Sequence, residues 1–330
     1  MTTSLEAETA LGTATISRVA VLSIADGIER LLAPFGEFVA DLISLKPTLL
    51  QLLVFGLLIG GVLALAALGL TMIFGVMDII NFAHGAFLLV GMYTVWFVNL
   101  EFGINPFLLL PVAVAVLVVL GVLLERSVIS PIIEAPQQSQ LIATFGIFLI
   151  IESLIRLQFG TDPREVQIEY GSIRIGSIVI PHGQLYGLLI ALVAMIATWA
   201  FLTYTDIGRS IRATAANREG ARYTGIDVPR IDSITFGIGA GLAGLAGASI
   251  ALFQPFSPIT GTTYLLDAFI VVILGGLGSF PGAFIGGLII GLIQVFGGFY
   301  FPGTTNRVLI FVLFLLVLLL KPTGLFGGER

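Results

Sequence analysis

The chain has 330 residues, of which 57% are hydrophobic and 11% charged, with a formal net charge of -5 and no cysteine. A mean hydropathy of +1.07 excludes an ordinary soluble domain, and the missing thiols exclude disulfides and thiolate metal sites. A hydrocarbon core of about 30 Å takes roughly 20 apolar residues as helix, and the sequence supplies such stretches repeatedly.

Residues 1–47 form an N-terminal extension. Glu6 and Glu8 stand where a signal peptide carries basic residues, and Asp26, Glu29 and Arg30 interrupt its apolar run. An amphipathic surface helix over about 14–45 is the preferred reading. A tilted extra span is the alternative and moves only the N-terminus to the other side. The membrane domain follows over 48–325, with spans at about 49–74, 79–98, 104–124, 141–157, 183–205, 233–254, 265–277, 282–301 and 304–320. The expected fold is an all-α polytopic membrane protein of eight or nine transmembrane or re-entrant helices packed through glycine. The segments at 141 and 265 are short enough to be re-entrant or broken, which is tolerated only inside protein or beside a water-filled cavity.

The connection at 206–231 holds Arg209, Arg212, Arg218, Arg222 and Arg230, five of the fifteen basic residues. The positive-inside rule assigns it to the cytoplasm. Counting spans from there puts the 158–182 loop outside, and the Gly275–Ser279 turn and the C-terminus inside. Alternation over Ile173–Ile180 predicts a small hairpin in the external loop. Forty glycines, several spaced by four (Gly56 and Gly60, Gly237 and Gly241, Gly282 and Gly286, Gly287 and Gly291), suit close helix packing in lipid. HGAFLLVG at 84–91 and PGAFIGG at 281–287 are either a faint internal repeat or a coincidence.

Chemistry is sparse. The two lysines, Lys46 and Lys321, both precede proline, so the chain has no phosphate-cradling Gly-Lys-Ser/Thr loop. His84 and His182 lie far apart, no metal set is predicted, and no nucleophile meets a histidine and an acid, so no catalytic residue is assigned. Asp78, Asn81 and His84 follow at three-residue steps and would share one side of the second span. Two readings stand for that polar stripe: helix-to-helix hydrogen bonding around a glycine, or the lining of a passage. Glu152 and Arg156, four apart, could pair or snorkel to the outer interface. Asp267, near the outer start of its segment, could instead meet a cationic partner surface.

The arginine-rich loop, GRSIRATAANREGARYTGIDVPR at 208–230, is helix-forming over 213–226. It reads as a headgroup-facing loop or as a docking element for another protein. Within it, Glu219-Gly220-Ala221-Arg222-Tyr223-Thr224-Gly225 resembles the EAA-three-residues-Gly signature by which permeases of ABC importers engage their ATPases, with Gly220 in place of the usual first alanine. ALGLTMIFGVMDIINFAHGAF at 67–87, VVILGGLGSFPGAFIGG at 271–287 and KPTGLFG at 321–327 complete, in order, a resemblance to the branched-chain amino acid permease family, in the H-type rather than the M-type form. Only the first 45 or so residues fall outside it.

The resemblance implies a non-enzymatic, multi-pass subunit of the inner or cytoplasmic membrane. Its implied partners are a second, M-type permease subunit, two cytoplasmic ATPases that bind ATP and Mg, and an extracytoplasmic substrate-binding protein, with no cofactor on this chain and no nucleic acid. Arg218, Glu219, Gly220, Ala221 and Gly225 become the expected ATPase-coupling residues. Asp78, Asn81 and His84 remain candidates for pathway lining. Urea and short amides stand beside leucine, isoleucine and valine as substrates.

Overall fold

The structure, a computed structural model, describes residues 29, 33–44, 46–166, 168, 171–301, 305–321 and 323–327. Most of the surface helix expected over 14–45 lies outside these residues. Its end is a helix, α1, over residues 33–43. Phe38 of α1 packs edge-on against Phe296 and Tyr300, and the Tyr300 hydroxyl donates to Asp41 at 2.9 Å.

The centre of the molecule is α2 (Pro47–Met77), 31 residues with a proline in its first turn and apolar side chains on every face. A helix without a polar face is stable only when surrounded, and α2 is buried almost without interruption from Gly60 to Phe74. Around it run α3 (His84–Phe102), α4 (Pro106–Leu124), α5 (Gln137–Phe159), α6 (His182–Tyr204), α9 (Val228–Ala251), α10 (Thr260–Gly275), α11 (Phe280–Tyr300) and α12 (Thr305–Leu320). α4 continues through a π turn and a 3-10 turn to Ile132. Seven of these helices are long and apolar enough to cross a membrane. α10 and α12 have 16 residues each, about 24 Å of helix.

Two boundaries correct the expected spans. The segment at 141 is not short: the polar turn at Gln137–Gln140 belongs to α5, which has 23 residues. The second span does not begin at 79. α2 ends at Asp78 in the left-handed conformation (φ 58°), and residues 78–83 are non-helical, so α3 starts only at His84. Asp78, Asn81 and His84 therefore do not form a helical stripe. The 265 segment is short, as expected, but begins earlier, at Thr260.

Backbone contact through glycine explains how α2 is enclosed. A Cβ on Gly291 would lie 2.3 Å from the Cα of Gly60, and one on Gly287 would lie 2.6 Å from the Cα of Ala64, so α11 is seated directly on α2. On the other side, a Cβ on Gly69 would lie 2.4 Å from the Gly239 carbonyl oxygen of α9. α3 crosses α9 equally closely, Gly91 against Gly244 and Gly247 against Leu88. The two sequence echoes both sit at helix starts against α10: Gly85 meets the Gly261 carbonyl and Gly282 meets the Gly275 carbonyl.

The two ends differ. At one, the arginine-rich connection, the Gly275–Ser279 turn and the C-terminal segment come together: Gly75 abuts Gly278, and Leu325 and Phe326 donate backbone hydrogen bonds to Leu274 and Gly275. At the other, β1 (Ser172–Ile175) and β2 (Ile178–Pro181) form the expected antiparallel hairpin, tied to α2 by two 2.7 Å hydrogen bonds between Gln51 and Val179. Arg164 bridges backbone to backbone with Phe256 and stacks over Trp96. Glu152 and Arg156 do pair, with Arg156 half exposed.

Gly91→Ala is expected to destabilise the detergent-solubilised protein by about 1–3 kcal/mol, because the methyl group would lie 2.2 Å from the Gly244 carbonyl and must push α3 and α9 away from each other. Gly146→Ala, with no atom within 4 Å of the new methyl, is expected to be neutral or stabilising by about 0.5–1 kcal/mol. Thermal unfolding of the two variants side by side measures the difference.

Candidate functional site

Three capping side chains shape the arginine-rich connection. Thr205 caps α7 (Asp206–Ala216) through the Gly208 amide, Asn217 caps α8 (Arg218–Tyr223) through the Gly220 amide at 2.8 Å, and Asp227 caps α9 through the Arg230 amide. Each side chain satisfies an otherwise orphaned helix-start donor. The single helix expected over 213–226 is thus two helices, because Asn217 is extended (φ -159°, ψ 103°) and restarts the chain. Gly225, at φ 87°, closes α8 in a conformation that favours glycine. The glycine at 220 also has a local reason: a Cβ there would press on the capping Asn217 side chain at 3.2 Å.

Of the five expected coupling residues, two point inward. Arg218 makes a bidentate ion pair with Asp232 of α9, at 3.0 and 2.6 Å, and donates to the Val76 carbonyl near the end of α2 at 3.0 Å. Asp232 is 3% exposed, so its charge depends on this partner. Ala221 is buried beneath the same helix. Next to Asp232, Ser233 donates to Glu125, which is itself buried in the π turn after α4. One short helix is thereby fastened to α2 and α9, and the same stretch of α9 is tied to α4. The opposite face of α8 is free: Glu219 accepts from the Tyr223 hydroxyl at 3.0 Å, and both side chains face outward with Thr224 and Gly225. Arg222 reaches Glu134 at 3.7 Å.

Residues 78–87 take a different role from the stripe expected of them. The Asn81 side-chain oxygen accepts from the Ala83 amide at 3.0 Å, forming the turn into α3. Nε2 of His84 lies 2.7 Å from the Ala66 carbonyl oxygen. A carbonyl only accepts, so this nitrogen carries the proton and ties the start of α3 to the middle of α2. Asn81 and His84 are both completely buried. In this conformation they border no open space, whereas Asp78 is exposed at the end of α2.

The polar space lies elsewhere. A cavity of about 400 Å³ opens between α2, α10, α11 and α12, with Gln254, Tyr264, Asp267, Gln294, Asn306 and Arg307 in its wall and Ile59, Ile259, Val295 and Ile310 beside them. Tyr264 donates to Gln254 at 3.1 Å, and the Asn306 amide donates to the Gln294 carbonyl at 3.1 Å. Asp267 is not an exposed contact for a partner. α10 begins seven residues before it, and the side chain is only 9% exposed. Gln294 and Arg307 share the cavity wall with its carboxylate. Sequence reasoning did not single out Gln254, Gln294, Asn306 or Arg307. The available signal was that each is a polar residue in or beside an apolar span, where such residues face cavities or partners.

The Arg218–Asp232 pair is open to a double-mutant cycle. Arg218→Ala and Asp232→Ala are each expected to lower the unfolding midpoint, and the double variant to lose less than their sum, with a coupling of about 1–3 kcal/mol. Additive losses in denaturation of the solubilised protein would mean that the pair does not hold α8 in place.

Residues 52–318 match the family model described as the branched-chain amino acid transport system permease component. The chain is 31% identical over 297 residues to the high-affinity branched-chain amino acid transport system permease protein LivH of Escherichia coli (strain K12), covering 84% of this chain and 95% of that protein. It is 32% identical over 295 residues to LivH of Salmonella typhimurium and 30% identical over 294 residues to BraD of Pseudomonas aeruginosa, with the same coverage. No solved structure matches. The match runs through the membrane helices, the α7–α8 connection and the polar cavity alike, and the chain belongs to the branched-chain amino acid transport system permease family.

Proposed function

We propose that the chain is the permease subunit of an ABC importer that carries branched-chain amino acids across the cytoplasmic membrane. The energy comes from ATP hydrolysed on separate subunits. In the assembled importer the arginine-rich end faces the cytoplasm, with the C-terminus on the same side, as the positive-inside rule requires. The chain works with an M-type permease subunit, two ATPases that hold ATP and Mg, and an external binding protein that delivers the substrate. It needs no cofactor of its own.

The observation that carries this reading is the divided character of α8. Its outer face offers Glu219 and Tyr223 to a partner, while Arg218 on its inner face is bonded to Asp232 of α9 and to the Val76 carbonyl of α2. A displacement of α8 by nucleotide-driven closure of the ATPases is transmitted to the two helices most deeply enclosed in the membrane domain. Gly225 supplies the turn that lets α8 sit at an angle to α9. Because α2 and α9 touch backbone to backbone at Gly69 and Gly239, they move as a unit against their surroundings, and the passage opens alternately to the two sides. Asp78, Asn81 and His84 sit at the junction of α2 and α3.

The decisive experiment reconstitutes the chain with its partner subunits and binding protein in vesicles and follows labelled leucine and labelled urea. Leucine uptake that needs ATP and all subunits is expected, with urea ignored. Full-rate uptake without the ATPases would identify an ATP-independent channel or secondary transporter instead, and uptake of urea alone would reassign the substrate. In the same assembly, Glu219→Ala and Gly225→Val are expected to reduce ATPase association and coupled uptake at least tenfold while leaving the permease folded. Unchanged ATPase co-purification would remove the docking role.

A further inference from the structure

We propose that the cavity between α2, α10, α11 and α12 is a transit site for the α-amino-acid group of the cargo. Asp267 receives the ammonium, Arg307 receives the carboxylate, and Ile59, Val295 and Ile310 line the path of the aliphatic side chain. This rests on the importer reading above and names the residues that meet the substrate inside the membrane.

The cavity combines features that an amino acid requires and a lipid-filled gap does not. Its volume of about 400 Å³ lies within the ~300–1,000 Å³ of small-molecule sites. It holds one acid and one arginine together with neutral polar groups, and aliphatic side chains make up the rest of its wall. Asp267 is enclosed, whereas Arg307 is exposed at the edge. An enclosed carboxylate at membrane depth is costly unless a cation or donors accompany it, and Gln294 and Arg307 are the donor and the cation that share its cavity. A cargo ammonium would take the inner position beside Asp267, and Arg307 at the exposed edge would bind the cargo carboxylate as a two-pronged donor.

The helix geometry points the same way. α10 and α12 are the two short membrane helices, and the first turns of both contribute to the wall, Thr260 and Thr263 from one and Asn306 and Arg307 from the other. Helix starts carry partial positive charge, and broken helices in transporters commonly bring such ends to a midplane site for anionic groups. Gln294 lies 14 residues along α11, roughly 20 Å from its start at the arginine-rich end. The site is therefore in the half of the membrane that the binding protein serves. Weak affinity is expected of it, since cargo must also leave.

The test uses the assembled complex in nanodiscs without binding protein, with equilibrium binding of labelled leucine read by scintillation proximity. Two competitors each lack one charge: isocaproate has no ammonium and isoamylamine has no carboxylate. Wild type is expected to prefer leucine at least tenfold over either. Asp267→Asn is expected to weaken leucine about tenfold and to abolish discrimination against isocaproate alone. Arg307→Gln is expected to abolish discrimination against isoamylamine alone, each change corresponding to one charge-assisted hydrogen bond. Val295→Phe leaves both charges in place and is expected to weaken leucine about tenfold more than alanine. A complex that imports leucine with ATP and binding protein yet binds none in nanodiscs would overturn the proposal and leave the importer reading intact. So would variants that lose or retain all ligands in parallel. A complex that imports no leucine at all fails the importer reading first and takes this site with it.

Discussion

The structure depends on α2 being enclosed by backbone rather than by side chains. Lipid tails are as apolar as leucine, so a greasy helix gains little from burial against another greasy helix unless the two approach closely enough for dense van der Waals contact. Gly60, Gly69, Gly287, Gly291 and Gly239 permit that approach from two sides. With α2 held between α9 and α11, the remaining spans need only one packed face. The outward sides of α4, α5 and α6 accordingly carry exposed leucine, valine and isoleucine, as a lipid boundary requires.

Close packing also determines how a signal from the arginine-rich end can travel. A core in contact through backbone atoms cannot deform gradually, because side-chain rotamers offer no slack, so displacement at one end appears as movement of a whole element. Arg218 is placed to use this. It is bonded at once to the last turn of α2 and the second turn of α9, and Ser233 extends the connection to Glu125 after α4. The exposed arginines of the same connection, Arg209 and Arg222, pair with Asp206 and Glu134 at the surface instead.

Much of this was legible in the sequence because it rests on composition and local chemistry. The apolar runs marked the membrane helices, the small-residue spacings marked the helix contacts, and the alternation at 173–180 marked the hairpin. The Glu219–Gly225 signature identified α8, but the break at Asn217 was missed. Helix propensity is summed over neighbours, whereas a cap acts through one side chain that has left the helix. The interruption at 78–83 was missed for a similar reason: three polar residues at steps of three look like a helical face, and only the left-handed backbone of Asp78 shows that they are not. The cavity was invisible because its polar residues are contributed from Gln254 to Arg307, four sites in the chain that only the packing of α10 and α12 on α11 brings together.

The two sets of membrane-depth polar groups are instructive as a contrast. Asn81 and His84 each direct one polar atom at a backbone group of the α2–α3 junction and lie wholly enclosed, while Nδ2 of Asn81 and Nδ1 of His84 are buried without a hydrogen-bond partner among the described residues. Asp267, Gln294 and Arg307 border open space, where a group brought from outside can replace what they now contact. Rarity within an apolar run therefore does not by itself separate a structural polar residue from one that meets cargo. The separation comes from whether the side chain borders open space, and by that criterion the proposed site of cargo contact is the acid and arginine between the short helices rather than the enclosed histidine at the start of α3.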